Sequence, residues 1–464
     1  MIDLKNIEGF YFVGIGGIGM SALALYFRQG NYEIAGYDRT KSGITQALTD
    51  EGCMVSYDDD IATIPSLFSN IAEKDRVIVV FTPAIPAENR IMSFFRDNNY
   101  KLYKRSEILG AISLNTDTLA IAGTHGKTTV STMTAHILKQ SHVDCSAFLG
   151  GISKNYNTNL LTGRGRFTVI EADEFDRSFL RLSPLMAVVT SADADHLDIY
   201  GNHLEMLKAY NQFIARIRKD GCLFVNDRIR DLIEPPEGIN VYTYGSSPLS
   251  DYSYSTIRHV SDYYEFDMKT PAGIMTDLYF PFPGIVNIEN LTAAIAVALN
   301  CGVEEDEIRK AIVLFRGVRR RFDIRVNLPG ITYIDDYAHH PEEIKALITS
   351  VREYFGERRI TGIFQPHLFT RTRDHASGFA EILDRLDETI LLPVYPAREK
   401  PIPGVSSQMI LDRMKSPRKK LMSMEEIPEK LDIGNMDVLV TIGAGDIDRL
   451  TGPIEEKIKR WKAC

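Results

Sequence analysis

Cysteine is scarce in this sequence: its 464 residues include five cysteines, and no two of them form a CxxC pair. They are Cys53, Cys145, Cys222, Cys301 and Cys464. An odd number of widely spaced cysteines argues against a disulfide framework and against a zinc site built on paired thiolates. We therefore expect a protein that works in a reducing compartment.

Two further absences narrow the class of protein. No apolar stretch approaches the roughly 20 residues that a membrane-spanning helix needs, and the N-terminal segment, with acids at Asp3 and Glu8, does not have the pattern of a secretory signal. Positive charge is not in excess, since 53 Lys and Arg against 62 Asp and Glu give a net charge of -9. General attraction to nucleic acid or to an anionic membrane is therefore disfavoured. We expect a cytoplasmic protein that acts on small molecules as a monomer or a homodimer, without a nucleic-acid or membrane partner.

The sequence does contain a repeated alternation of short apolar runs with segments of helical length. Such an alternation predicts an α/β fold in which helices cover parallel sheets. The predicted strands are Phe10–Val13, Arg76–Phe81, Thr118–Ala122, Phe167–Ile170, Met186–Thr190, Ile331–Ile334, Arg359–Phe364, Thr389–Leu392 and Val438–Ile442.

The length favours about three domains. We predict a Rossmann-like N-terminal domain over 1–110, a P-loop ATPase-like central domain with a parallel sheet over 111–319, and a Rossmann-like C-terminal domain over 320–464. Within the central domain, residues 240–282 are rich in Tyr, Ser and Thr with weak alternation, which predicts a small antiparallel addition.

A glycine-rich turn, called here the diphosphate turn (residues 14–19), follows the first predicted strand. Its glycines are Gly14, Gly16, Gly17 and Gly19. A helical pattern over Met20–Phe27 comes next, and the following strand, Glu33–Tyr37, ends at Asp38. Such turns let the backbone approach a diphosphate at the start of a helix. Because NAD and a UDP-sugar both carry a diphosphate, an NAD-dependent oxidoreductase is the alternative that this turn leaves open.

A second glycine-rich turn, called here the phosphate loop (residues 123–129), precedes a helical pattern over Val130–Lys139. It consists of Gly123, Thr124, His125, Gly126, Lys127, Thr128 and Thr129. Its backbone N–H groups and Lys127 suit the phosphates of ATP, and the Thr128 hydroxyl suits Mg²⁺. Ile121 occupies the place of the first glycine of the strict pattern, so the loop has the form GxxGKTT. Two phosphate sites in successive domains indicate a nucleotide together with a second phosphorylated substrate.

Acidic and histidine residues follow the next two predicted strands. Phe167–Ile170 leads directly into Glu171, and Met186–Thr190 is followed closely by His196. The carboxyl ends of parallel strands meet at one edge of a sheet, so both segments are expected beside the phosphate loop. Hard oxygen ligands suit Mg²⁺, and a neutral imidazole is tolerated. A capped strand-to-helix turn without a metal is the alternative.

Over essentially its whole length the sequence resembles the Mur ligase family. The matching segments are GIGGIGMSALA at 14–24, TPAI at 82–85, GTHGKTT at 123–129, EADEFDRSFLRLSP at 171–184, DADHLDIYG at 193–201, GVRRRFD at 317–323, DDYAHHP at 335–341, FQPHLFTRTRD at 364–374 and GAGDI at 443–447. GTHGKTT is typical of the whole family. The two acidic segments at 171–184 and 193–201 resemble the alanine-adding members more than those that recycle murein peptides.

The resemblance implies roles for residues around the phosphate loop. Lys127, Glu171 and His196 would be catalytic, and Thr128 would hold Mg²⁺ together with Glu171 and His196. ATP would be bound by the phosphate loop together with Asn287, Asn290 and Arg320.

The resemblance also implies where the other substrates bind. The UDP-substrate would contact the diphosphate turn together with Asp38, Thr82 and Ala84, and the amino acid would contact His339, His367 and Arg371. Four positions depart from the pattern of many family members: Thr82-Pro83 replaces the commoner Ser-Ser pair, Val286 replaces a histidine, and Leu368 replaces an arginine.

The implied activity is the ATP-dependent ligation of L-alanine to the lactyl carboxylate of UDP-N-acetylmuramic acid through an acyl phosphate, a step of peptidoglycan synthesis. ATP and Mg²⁺ would be required. The alternative within the family is a recycling ligase that adds a tripeptide to the same UDP-sugar.

Overall fold

A computed structural model of the chain describes residues 4, 6–194, 197–260, 263–397 and 399–463. The described residues form three β-sheets covered by helices, which confirms the predicted α/β class. The chain divides into two compact units. The first consists of Met1–Pro281 and Glu289–Arg316, and the second of Phe282–Ile288 and Gly317–Cys464.

The N-terminal sheet of the first unit has five parallel strands in the order β3-β2-β1-β4-β5. Its strands are β1 (Gly9–Val13), β2 (Glu33–Tyr37), β3 (Met54–Ser56), β4 (Val77–Phe81) and β5 (Lys101–Lys104), and its helices are α1 (Ile18–Gln29), α2 (Gly43–Asp50), α3 (Ser66–Ser69), α4 (Arg90–Asp97) and α5 (Arg105–Leu114). Strand β1 is buried along its whole length, as expected for a parallel strand with helices on both faces. The strand order reverses between β1 and β4, where sheets of this kind open a crevice for ligands.

The central sheet, also in the first unit, has ten strands in the order β15-β14-β13-β12-β11-β10-β6-β9-β7-β8. Its strands are β6 (Asp117–Ala122), β7 (Cys145–Ser153), β8 (Thr158–Leu161), β9 (Phe167–Glu171), β10 (Met186–Val189), β11 (Cys222–Asn226), β12 (Asn240–Gly245), β13 (Tyr252–Val260), β14 (Tyr263–Thr270) and β15 (Gly273–Phe280). The associated helices are α6 (Lys127–Lys139), α7 (Leu197–Tyr200), α8 (His203–Ile214), α9 (Ile285–Asn300) and α10 (Glu305–Val313).

Neighbouring strands pair in parallel from β13 through β12, β11, β10, β6 and β9 to β7. The pairs β13–β14, β14–β15 and β7–β8 are antiparallel. The antiparallel addition predicted for 240–282 is thus confirmed for β13–β15. Helix α6 begins at Lys127, three residues before the predicted start at Val130. The reason is that Gly126, at a φ of 82°, turns the chain directly into the helix.

Helix α1 of the N-terminal sheet packs against β7 and β8 of the central sheet. The Asn159 side chain donates hydrogen bonds to the Ile18 carbonyl and, at 3.1 Å, to the Ser21 hydroxyl. The rings of Tyr26 and Phe148 lie 5.3 Å apart, and buried residues of both sheets form one hydrophobic cluster. The diphosphate turn and the phosphate loop therefore belong to the same compact unit.

The second unit contains a six-stranded sheet in the order β16-β17-β21-β18-β19-β20, parallel except for the β16–β17 pair. Its strands are β16 (Asp323–Leu328), β17 (Ile331–Asp336), β18 (Ile360–Phe364), β19 (Glu388–Leu391), β20 (Lys419–Leu421) and β21 (Val438–Ile442). Its helices are α11 (Pro341–Phe355), α12 (Phe369–Leu383), α13 (Gln408–Leu411), α14 (Glu426–Lys430) and α15 (Thr451–Ala463). In the described part of the chain, no helix has both the length and the apolar character needed to cross a membrane.

Candidate active site

The diphosphate turn connects β1 to α1 and is held against the end of β2. The backbone N–H groups of Gly14 and Ile15 donate to the Tyr37 carbonyl at 2.7 and 3.0 Å, and that of Gly16 donates to Asp38 Oδ2 at 2.8 Å. A Cβ at Gly16 would lie 2.8 Å from the same carboxylate oxygen, so glycine is required there. Asp38, predicted to contact the UDP-substrate, thus shapes the turn itself.

Thr82 and Ala84 follow the end of β4, next to the diphosphate turn. Gly14 has a φ of 89°, and a Cβ at this position would lie 3.1 Å from Thr82 Cγ2. Thr82 and Ala84, which are predicted to contact the UDP-substrate, therefore lie where the strand order of the N-terminal sheet reverses. Backbone N–H groups at the start of α1 are placed to bind an anion at this point.

The phosphate loop follows β6 at the centre of the larger sheet, between β9 and β10. The backbone N–H of Thr124 donates to the Ser191 carbonyl at 3.2 Å, and that of His125 donates to Ser191 Oγ at 2.8 Å. Gly123 has a φ of 133°, and a Cβ there would overlap with Thr190. The loop is thus fixed by the segment after β10 and keeps the open backbone that a phosphate chain requires.

Lys127 is held in the phosphate loop by a buried carboxylate. Its Nζ donates to the Gly123 carbonyl at 2.6 Å and to Glu174 Oε1 at 2.8 Å, and the Glu174 side chain is 1% exposed. Burial lowers the pKa of Lys127, but the carboxylates of Glu174, Asp173 and Glu171 together more than compensate and leave that pKa raised. Lys127 is therefore a cation directed into the loop, as its predicted role requires. The sequence alone does not predict Glu174 as the partner of Lys127, although Glu174 lies in the acidic segment at 171–184.

Glu171 and Thr128, two of the three predicted metal ligands, are in contact. The Thr128 hydroxyl donates to Glu171 Oε1 at 3.0 Å, and the backbone N–H of Gly150 donates to Glu171 Oε2 at 3.0 Å. Hydroxyl and carboxylate oxygens at the start of a phosphate-loop helix are the donor set that Mg²⁺ prefers. The third predicted ligand, His196, lies outside the described residues, and within those described no group of three or more His, Cys, Asp or Glu is assembled for a metal.

Gly150 gives a direct test of how Glu171 is positioned. A Cβ at Gly150 would overlap with the Glu171 carboxylate, so we expect Gly150→Ala to move that carboxylate away from Thr128. The rate of phosphate release should fall roughly 100-fold, because displacing one charge-stabilising group costs on this order. Steady-state kinetics and thermal unfolding of the variant check this. Gly43→Ala is the control, since a Cβ there meets no atom within 4 Å. Normal turnover by Gly150→Ala would contradict the geometry.

The two predicted asparagines lie in the first turns of α9. Asn290 Oδ1 lies 2.8 Å from the position that a Cβ of Gly126 would occupy, so Asn290 is adjacent to the phosphate loop. Asn287 is buried, and its side-chain amide donates to the Pro283 carbonyl. Val286, one of the departures from the family pattern, is 43% exposed at the beginning of the same helix.

A cleft in the first unit extends from the diphosphate turn to Glu171, the carboxylate that contacts the phosphate loop. It is lined by Ile18 and Gly19 from the diphosphate turn and α1, by Arg105, by Gly150, and by Glu171 and Asp173 from the acidic segment. Glu171 in turn contacts Thr128 of the phosphate loop. A ligand bound at the diphosphate turn can therefore reach the carboxylate beside the phosphate loop without leaving this unit.

Arg320 lies in the second unit beside a buried acid. Its Nε is 3.4 Å from Asp335 Oδ2, and its guanidinium lies over the Tyr337 ring at 5.1 Å. Burial raises the pKa of Asp335 to about 6, with Arg320 opposing the effect. Arg320 is thus oriented by residues of its own unit.

The predicted amino-acid-binding histidines lie together in the second unit. The rings of His339 and His367 are 5.9 Å apart, and His367 stacks on Tyr395 at 5.7 Å. His339 Nδ1 is 3.0 Å from the Tyr337 carbonyl, and burial lowers the pKa of His339, with the charge of Arg371 acting in the same direction. The structure therefore brings all three predicted residues, His339, His367 and Arg371, to one region.

Three family models match this chain. The Mur ligase family catalytic domain matches residues 9–116, the Mur ligase middle domain matches 121–298, and the glutamate ligase domain of Mur ligases matches 320–445. Together they account for most of the chain.

Similar proteins cover the chain almost completely. The UDP-N-acetylmuramate–L-alanine ligase of Parabacteroides distasonis is 46% identical over 98% of both chains, and that of Flavobacterium johnsoniae is 43% identical over 98% of this chain and 99% of its own. Among solved structures, the UDP-N-acetylmuramate–alanine ligase of Thermotoga maritima superposes with a TM-score of 0.82 at 26% identity, covering 98% of this chain and 99% of that one. A murein peptide ligase of Psychrobacter arcticus has a TM-score of 0.70 at 20% identity over 97% of this chain and 98% of its own, and shares the fold.

Proposed function

This chain belongs to the Mur ligase family, and from that premise we infer that it joins L-alanine to the lactyl carboxylate of UDP-N-acetylmuramic acid with conversion of ATP to ADP and phosphate. The structural observation that supports this function is the cleft that extends from Gly19 of the diphosphate turn to Glu171, whose carboxylate contacts Thr128 of the phosphate loop. Relatives that cover nearly the whole chain bear the name of the alanine-adding enzyme.

The reaction requires activation because a carboxylate oxygen is a poor leaving group when an amine attacks. Transfer of the γ-phosphoryl group of ATP gives an acyl phosphate, which the amine of L-alanine then converts to an amide and inorganic phosphate. Lys127 and the backbone N–H groups of the phosphate loop would stabilise the charge that develops on the phosphoryl oxygens. The cleft walls would keep water from the acyl phosphate, which otherwise hydrolyses.

We propose that Thr128, Glu171 and His196 hold Mg²⁺. The contact between Thr128 and Glu171 supports this assignment, because both supply hard oxygen donors next to the loop. Mg²⁺ would neutralise charge on the ATP phosphates. Glu171 would keep its orientation through Gly150, whose N–H is directed at it.

We further propose that Asn287, Asn290 and Arg320 complete the ATP site and that His339, His367 and Arg371 contact L-alanine. The diphosphate turn, with Asp38, Thr82 and Ala84, would take the UDP-substrate. In this assignment residues 1–110 bind the UDP-sugar, 111–319 bind ATP and 320–464 bind the amino acid. We place the reaction in the cytoplasm, where ATP and UDP-sugars are available.

A phosphate-release assay across the twenty amino acids tests the substrate assignment. Release should require both UDP-N-acetylmuramic acid and ATP, and L-alanine should support the highest kcat/KM. When L-alanine and the tripeptide compete in the same assay, L-alanine should remain the preferred substrate. A preference for the tripeptide would identify a recycling ligase, and NAD-dependent absorbance changes without phosphate release would identify an oxidoreductase.

A further inference from the structure

A guanidinium group lies between the diphosphate turn and the acidic segment. Arg105, the first residue of α5, approaches the start of α1 so closely that a Cβ at Gly19 would overlap with its Nη1. Its Nη2 donates to Asp173 Oδ2 at 3.2 Å. The Arg105 side chain is 23% exposed, and Arg105 is one of the residues that line the cleft.

The remaining walls of this cleft indicate the kind of group that fits beside Arg105. Apolar side chains form one part of the lining: Ile18, Ala22, Leu109, Phe148 and Leu149. The carboxylates of Glu171 and Asp173 form another part. Among the lining residues that the structure describes, Arg105 is the only cation. A carboxylate next to a small apolar group fits this lining, because the guanidinium binds the carboxylate and the apolar side chains pack against the apolar group.

We propose that Arg105 binds the lactyl carboxylate of the UDP-sugar and holds it toward Glu171, and that Asp173 positions the guanidinium. This inference rests on the proposed function. A guanidinium has five N–H donors, so Arg105 can keep its bond to Asp173 while it donates two parallel hydrogen bonds to a second carboxylate. Asp173 is itself fixed, because its Oδ1 accepts a hydrogen bond from the Phe175 N–H at 3.1 Å.

The location of Arg105 between the diphosphate turn and Glu171 suits the lactyl carboxylate. It lies next to Gly19 at the end of the diphosphate turn, and the same cleft continues to Glu171 beside the phosphate loop. The lactyl carboxylate must bridge these two points, because its sugar is attached to the diphosphate and its oxygen receives the γ-phosphoryl group. Arg105 would thus align the accepting oxygen before transfer.

The diphosphate of the substrate is the competing ligand for this guanidinium, and UDP-N-acetylglucosamine separates the two. It carries the same diphosphate and amino sugar but no lactyl carboxylate. We would measure by titration calorimetry the Kd of both nucleotides for the full-length protein and for Arg105→Ala. The affinity for UDP-N-acetylmuramic acid should fall about 30-fold, as expected for loss of a charge-assisted hydrogen-bonded pair. The affinity for UDP-N-acetylglucosamine should not change.

Lys104→Ala is the matched control. Lys104 precedes Arg105 and pairs with Asp176 at 3.3 Å, so its removal deletes a similar charge and a similar ion pair. Both affinities should stay at the wild-type value in this variant. Asp173→Asn should cause a smaller loss with the same selectivity, because Arg105 keeps its charge but loses its fixed orientation.

An equal loss for both nucleotides, or no loss for either, would overturn the inference. Arg105→Gln serves as a second variant if thermal unfolding shows that Arg105→Ala is not folded, and the same two outcomes apply to it. Failure of the proposed function is distinguishable, since the wild-type protein would then neither bind UDP-N-acetylmuramic acid nor release phosphate with it.

Discussion

Lys127→Met should reduce the rate of ADP formation about 1,000-fold, because it removes the charge that stabilises the transferring phosphoryl group. Binding of UDP-N-acetylmuramic acid should persist, since the diphosphate turn lies on a different sheet. A coupled ADP assay and calorimetry measure the two properties. Lys139→Met, which removes a lysine at the other end of α6, is the control and should retain normal turnover.

The same substitution should also destabilise the protein, because it removes the cation that pairs with the buried Glu174 carboxylate. Loss of one member of a buried ion pair typically costs about 3–5 kcal/mol. Adding Glu174→Gln to Lys127→Met should restore most of the free energy of unfolding without restoring activity. Turnover within tenfold of the wild-type rate in the single variant would refute the assignment of the phosphate loop.

Glu171→Gln should have the second largest effect. The substitution keeps the size of the side chain but removes its negative charge. The new NH₂ group cannot accept a hydrogen bond, so the remaining carbonyl oxygen can replace only one of the two carboxylate oxygens that accept from Thr128 and Gly150. We expect kcat to fall on the order of 100-fold to 1,000-fold, as for loss of a group that stabilises phosphoryl charge. The Mg²⁺ concentration for half-maximal activity should rise.

Titration of activity with MgCl₂ checks this prediction. Asp176→Asn is the control, because Asp176 belongs to the same acidic segment but pairs with Lys104. An unchanged Mg²⁺ requirement in Glu171→Gln would show that Glu171 is not a metal ligand. A similar loss of kcat in Asp176→Asn would show instead that the overall negative charge of the acidic segment at 171–184 affects activity.

The parts of the fold that local sequence determines are predictable from the sequence. Strands β1 and β2 are predicted from their β-branched and aromatic residues. Both glycine-rich turns are predicted from the spacing of their glycines, because positive φ angles such as those of Gly14 and Gly126 favour glycine. Strand ends differ by a residue or so from the prediction, for example at β19, because the last residue of a strand depends on a single hydrogen bond to its neighbour.

The parts of the site that depend on long-range contacts could not be predicted. Lys127 and Glu174 are 47 positions apart, and Arg105 and Asp173 are 68 apart. Neither pair corresponds to a periodic pattern in the sequence. Gly150 did leave a weak signal, since glycine inside a strand often marks a close approach by another group, here the Glu171 carboxylate.

In the proposed reaction the γ-phosphoryl group of ATP is transferred to the lactyl carboxylate of the UDP-sugar within one cleft. Labelling of that carboxylate with ¹⁸O, followed by mass spectrometry of the released phosphate, detects this transfer. Complete reaction with L-alanine should place one ¹⁸O atom from the carboxylate in each molecule of inorganic phosphate. Phosphate that contains no ¹⁸O from the carboxylate would rule out this transfer.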